Sequence, residues 1–228
     1  MIRAHARLAT IVTGLDDRQI AEPSGLPGWS RGHVLAHLTD NARMFVSLAE
    51  HVLRGQLVAG YDGGVDERKA IIEATAGRSA VEHRAELARH TTRLEGVWAR
   101  AGDADWTRPV TFHNADLAAT VYCRWREVWI HLVDLAVGVG PDDWPEALAC
   151  HAIDFLLSRL PSGTCLRAVD GQHRWSVGDG TGIVVTGRVR DLAAWLAGRT
   201  PTLLPLAAEG LPDLGPWSPR PPPRSGRT

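Results

Sequence analysis

Apolar residues return every three to four positions through most of the first 160 residues, the spacing of helices that bury one face. The pattern predicts a helix over about 3–20 and a second over about 31–54. The second is entered through the Pro-Gly turn of "LPGWSRGHVLAHL", with Ser30 as its N-cap. "YDGGVDER" reads as a loop, followed by a long helix over about 66–101. "DADWTRPVTFHN", which contains Pro109, is irregular or extended. Helices over about 115–139 and 143–160 come next, parted by "GVGPDD".

At "PSGT", residues 161–164, the period changes. "TCLRAVDG", "QHRWSVGDG" and "TGIVVTGRV" are short, partly alternating stretches divided by glycine-containing turns, the pattern of a small antiparallel sheet. "VRDLAAWLAG" is a short helix closed by Gly198, and "TPTLLPLAAEG" returns to an extended or mixed form. The Pro- and Arg-rich "SPRPPPRSGRT" is expected to be disordered. The fold class is α+β: a helix bundle over 1–160, a small α+β domain over 161–217 and a tail over 218–228.

One helical stretch breaks the rule that charges stay out of apolar segments. In "RWREVWIHLVDL", residues 124–135, ionisable groups are threaded through Val128, Trp129, Ile130, Leu132 and Val133. On a helix, His131 and Asp134 fall about 40° and about 20° to either side of Glu127, and Arg124 about 60° away. The four therefore share one face, suited to a polar cavity. Glu127 and His131, at i and i+4, can reach one metal ion; the bland alternative is an i, i+4 salt bridge on a solvated face.

A third donor has to come from another helix. In "GHVLAHLTDNARMF" the apolar stripe runs through Val34, Leu38, Ala42 and Phe45. His37 lies at its edge and His33 about 40° further toward solvent, so His37 is the better inward candidate. The alternative for His37 is a satisfied core histidine. Two His and one Glu on facing helices leave one position open, the pattern of catalytic zinc. His113 is a weaker pocket candidate.

Composition narrows the partners. The 228 residues carry 25 Lys+Arg against 26 Asp+Glu, a net charge of −1. This offers no footprint for nucleic acid and no polybasic patch for a membrane. Cys123, Cys150 and Cys165 are odd in number and form no CxxC pair, which fits a reducing compartment. There is no signal-peptide pattern and no run of roughly 18 apolar residues. A cytoplasmic protein acting on small molecules, as a monomer or weak homodimer, is expected.

"LPGWSRGHVLAHL" and "RWREVWIHLVDLAVG" together resemble the mycothiol-dependent maleylpyruvate isomerase family, a branch of the DinB-like metal-binding helix bundles. The resemblance continues through "AVDGQHRWSVGDG" and "VVTGRVRDLAAWLAGR" to the closing "LPDLGPW". It implies an up-down four-helix bundle, with zinc held by His37, Glu127 and His131. It also implies two functional arginines, matched here by Arg68 in "VDERKAIIE" and Arg199 in "WLAGRT". The second would bring a residue of the C-terminal domain to the metal pocket.

By the same resemblance the thiol cosubstrate is mycothiol, held as thiolate by zinc. It would add to the double bond of maleylpyruvate, permit rotation and leave, with Arg68 and Arg199 on the substrate carboxylates. Asp134 and Arg124 would orient His131 and pocket water. An S-transferase that keeps the thiol attached to its electrophile is the alternative. A non-catalytic metal-binding regulator is a third, although the cysteines do not supply the HxxxCxxC arrangement of an anti-sigma zinc site. Cys123, one turn before Glu127, is read as a core residue.

Overall fold

A computed structural model describes residues 1–217; the expected tail over 218–228 lies outside the described residues. Contacts divide the chain into Met1–Val139 and Gly140–Thr228. The division thus falls before the helix expected over 143–160, because that helix packs on the last helix of the second unit.

The first unit holds α1 (Ile2–Thr13), α2 (Asp17–Ala21), α3 (Arg31–Leu53), α4 (Gly64–Ala76), α5 (Ala80–Trp98) and α6 (Leu117–Asp134). Two helices expected to be continuous are split, each by a capping box. The Asp16 carboxylate accepts from the Gln19 N–H at 2.8 Å, while the Gln19 side chain accepts from the Asp16 N–H at 3.0 Å. Ser79 and Glu82 repeat the device between α4 and α5. Each box satisfies amide donors that a new helix start would otherwise leave unpaired, which outweighs continuing the old one.

Helix α3 packs on α5 and α6, and α1 packs on the same two, giving a four-helix bundle with α4 laid against α3. Leu8, Leu35, Leu38, Phe45, Leu48, Leu94 and Leu132 fill it with almost no exposure. Burial of each such side chain contributes about 1.5–3 kcal/mol. At Gly32 the two helices nearly touch: a Cβ there would sit 2.2 Å from the Ala76 carbonyl oxygen.

Arg124 is wholly buried inside this bundle. Its Nη1 donates to the Leu38 carbonyl at 2.6 Å and to Asn41 Oδ1 at 3.0 Å, and its Nε donates to His5 Nε2 at 3.2 Å. The other ring nitrogen of His5 lies 2.6 Å from Glu95. Burial pushes the Arg124 guanidinium down to about 10, still charged at neutral pH. Its charge is held by polar groups of α3 and α1, with Glu95 of α5 behind His5.

A second arginine ties distant segments. Arg31 Nε donates to the Leu135 carbonyl at 2.7 Å and Nη2 to the Ala136 carbonyl at 3.0 Å, while Nη1 reaches the Gln19 carbonyl and Glu22. The Gly25 N–H donates to the Asp134 carbonyl at 2.7 Å. The C-terminal carbonyls of α6, which lack partners within their own helix, are thereby capped from the start of α3.

The second unit contains α7 (Glu146–Leu156), α8 (Val189–Leu196) and four strands, β1 (Cys165–Ala168), β2 (Arg174–Ser176), β3 (Val184–Gly187) and β4 (Leu206–Ala207). The sheet, expected to be antiparallel, is mixed: in the order β2-β1-β3-β4, β1 and β3 run parallel. The link from β2 to β3 passes the start of β1 instead of folding back beside β2. The Gly163 N–H donates to the Val177 carbonyl, and the Gly182 N–H donates to the Gly163 carbonyl. Left-handed φ angles at Gly163, Gly178 and Gly180 permit this tight passage.

Among the described residues no helix is long and apolar enough to cross a membrane.

Candidate metal centre

Helix α3 begins at Ser30, and His33 takes the place of the usual Glu in its capping box. The Ser30 N–H donates to His33 Nδ1 at 3.2 Å, and the His33 N–H donates to Ser30 Oγ at 3.4 Å. Trp29 stacks on the His33 ring at 6.0 Å. His33 is thus occupied at the helix end, and His37, one turn on, is the histidine that turns inward and is buried.

His37, Glu127 and His131 come together as the sequence predicts, each offering one donor atom within 4.8 Å of the others. His37 Nε2 lies 2.7 Å from Glu127 Oε2, and His131 Nε2 lies 3.5 Å from the same oxygen. The two imidazoles meet edge to face with centroids 4.6 Å apart. His131 Nδ1 donates to Asp134 Oδ2 at 2.7 Å, leaving Nε2 free to act as a donor atom toward the centre. Nitrogen, nitrogen and carboxylate oxygen, with the carboxylate–histidine pair behind them, fit a zinc ion with one further position.

The electrostatics of the three differ. Burial, reinforced by the charges of His131 and Arg68, pushes His37 down to about 4 and keeps it neutral. Burial alone would raise Glu127, yet the imidazoles of His131 and His37 packed beside it hold it well below the usual carboxylate range. Burial also works against a charged His131, but Asp134 and Glu127 outweigh it and raise this histidine.

Arg68, in the second turn of α4, joins the cluster: its Nη2 lies 2.8 Å from His37 Nδ1. Arg199 belongs to the second unit, just past α8. There Nη1 donates to the Ala197 carbonyl at 2.6 Å, and the guanidinium lies 5.8 Å from the Trp217 ring, which Arg159 flanks at 5.6 Å. His113 is exposed, adopts a left-handed φ of 53° and packs against Phe112 rather than joining the cluster.

The three cysteines are free. Burial, aided by the Glu127 charge, pushes the Cys123 thiol up to about 12, so it stays protonated beside the site. Sequence reasoning missed the group one turn along α3 from His37. There Asp40 accepts hydrogen bonds from the Tyr61 hydroxyl and from Arg43 Nε, the latter at 2.7 Å. Burial and Asp40 raise the Tyr61 phenol, while the charge of Arg68 opposes that rise. Its signal was only a lone tyrosine in the "YDGGVDER" loop.

Comparison with known proteins points to one family. The family model for the mycothiol maleylpyruvate isomerase N-terminal domain matches residues 2–136, which include all four clustered residues. The fold is similar to the crystal structure of a mycothiol-dependent maleylpyruvate isomerase. The TM-score is 0.83 at 22% identity, over 93% of this chain and 92% of that one. A histidine-to-alanine mutant of such an enzyme aligns with a TM-score of 0.82 at the same identity and coverage. Among curated proteins no sequence matches.

Proposed function

Because the chain belongs to the mycothiol maleylpyruvate isomerase family, we propose that it is a zinc- and mycothiol-dependent enzyme that converts maleylpyruvate to fumarylpyruvate. The observation that carries this reading is the convergence of His37, Glu127 and His131 from α3 and α6. Zinc on these donors supplies, when bound, the positive charge that keeps a small thiol ionised near neutral pH. Glu127 is the anionic donor, and Asp134 fixes the ring of His131 so that Nε2 faces the centre.

The chemistry asks little else of the protein. Addition of the thiolate to one alkene carbon turns the double bond into a single bond, and the displaced electron pair moves into the neighbouring carbonyl. Rotation follows, and expulsion of the thiolate restores the alkene in the trans form with no atom gained or lost. The chain's own role is to hold the substrate. Arg68, at the edge of the cluster, suits one carboxylate through its planar fork, and Arg199 is assigned the other. Cys123, raised by burial, does not compete as nucleophile.

The test is zinc analysis of the purified chain together with turnover of maleylpyruvate in the presence and absence of mycothiol, beside a generic electrophile such as a haloarene. Thiol-dependent formation of fumarylpyruvate supports the reading. A stable thiol adduct of the electrophile, with maleylpyruvate untouched, makes the protein an S-transferase instead. Turnover without added thiol overturns the mechanism.

A further inference from the structure

The two histidines of the cluster face opposite kinds of partner through their outer nitrogens. His131 Nδ1 meets a carboxylate, Asp134 Oδ2 at 2.7 Å, so that nitrogen carries the proton and Nε2 presents a lone pair. His37 Nδ1 meets a guanidinium, Arg68 Nη2 at 2.8 Å. Arginine has no acceptor, so here Nδ1 must supply the lone pair and the proton must sit on Nε2. That proton is placed to donate to Glu127 Oε2 at 2.7 Å. Arg68, His37 and Glu127 form a closed donor–acceptor chain in which His37 Nε2 has nothing to offer a metal.

A neutral imidazole has one lone pair in its plane. Zinc on Nε2 and Arg68 on Nδ1 both require it, and the ring cannot serve both. From this we infer that Arg68 and zinc compete for His37: binding of the metal moves the ring proton to Nδ1 and expels the guanidinium. The released arginine then has its donors open to an anionic group of the substrate. This rests on the proposed zinc site and adds a role for Arg68 as a positioning residue whose availability follows metal loading. Linkage makes the effect reciprocal: whatever factor zinc takes from the Arg68–His37 contact, Arg68 takes from zinc affinity.

The test measures zinc affinity of the full chain by competition with a chelating dye, for wild type, Arg68→Met and Arg43→Met. Arg43 lies on the same helix as His37 and carries the same charge, but it pairs with Asp40. Arg68→Met should bind zinc about 10-fold more tightly, within the usual range of coupling between two sites. Arg43→Met should change affinity less than about 2-fold, as expected for a charge that is paired with Asp40 and makes no contact with His37. A second readout is proton–nitrogen correlation of the histidine rings in metal-stripped wild type. The His37 proton should be on Nε2, and on Nδ1 once zinc is added.

Unchanged or weakened affinity in Arg68→Met overturns the inference. So does equal tightening in both variants, which would mark a plain charge effect, or a stripped protein whose His37 proton is already on Nδ1. Tight zinc that ignores Arg68 sinks this inference alone. A wild-type chain that binds no zinc removes the metal reading as well.

Discussion

Gly32 of α3 and Ala76 of α4 are in backbone contact: a Cβ at residue 32 would lie 2.2 Å from the Ala76 carbonyl oxygen and 3.2 Å from Ile20. No flexible side chain can yield there, so Gly32→Ala must push α4 away from α3. The cost expected is about 1–3 kcal/mol, the usual penalty for overpacking, read as a lower urea midpoint. Because α4 carries Arg68, the variant should also lengthen the Arg68–His37 contact. A Gly32→Ala protein as stable as wild type would mean that the helices are less closely apposed than described.

Wild type should carry about one zinc per chain, and His37→Ala, Glu127→Ala and His131→Ala should each lose most of it, because two donors hold zinc poorly. Asp134→Ala removes no ligand but frees the His131 ring, and should weaken zinc about 10- to 100-fold. Elemental analysis and chelator competition decide it. Full zinc retention in all three ligand variants would end the metal reading.

Acid should destabilise the bundle through His5. Burial, with the charges of Arg124 and the N-terminal amine, pushes His5 down to about 3 from 6.5. Between those values the unfolded chain binds a proton that the folded chain refuses. Stability is therefore complete above about 6.5 and falls as pH drops toward 3, by up to about 1.4 kcal/mol per pH unit for one group. Urea unfolding with chelator present, at a series of pH values, should give a shallower slope for His5→Gln than for wild type. Parallel slopes would assign acid sensitivity elsewhere.

Under the proposed function Arg199 would hold a substrate carboxylate. Arg199→Ala should lower kcat/KM about 10- to 100-fold, about 1.4–2.7 kcal/mol, with zinc content and melting temperature nearly unchanged. Trp217→Ala, which removes the ring flanked by Arg199 and Arg159, should produce a smaller loss in the same direction, mainly in KM. Wild-type turnover by Arg199→Ala would confine substrate binding to the helix bundle.

Much of the centre could be read from spacing alone. The stripe of Glu127, His131 and Asp134 is a matter of helical angle, and Ser30 marks the start of α3, so the inward turn of His37 follows from counting. The breaks at Asp16 and Ser79 were also written in the chain, as D-x-x-Q and S-x-x-E, but an apolar period running across them hides a cap. Other features had no local signal. Tyr61 finds Asp40 only through the path of its loop, and β1 pairs with β3 in parallel only because the β2–β3 link passes one particular end of β1. Contacts of this kind belong to the folded topology, and no periodicity encodes them.

The tie made by Arg31 bears on how far such a sequence can drift. Three of its four acceptors are main-chain carbonyls, those of Gln19, Leu135 and Ala136, and the neighbouring Gly25 N–H likewise ends on the Asp134 carbonyl. Carbonyls survive any substitution that keeps the backbone in place. Residues 19, 135 and 136 can therefore change without untying α3 from α6, and the distance from His37 to Glu127 is insured against their replacement. In a saturation scan, position 31 should tolerate almost nothing, while replacements at 19, 135 and 136 should leave this tie intact whatever they cost the capping box at Gln19 or the core at Leu135. Such a lopsided pattern of constraint would let a metal centre persist in a fold whose sequence has largely turned over.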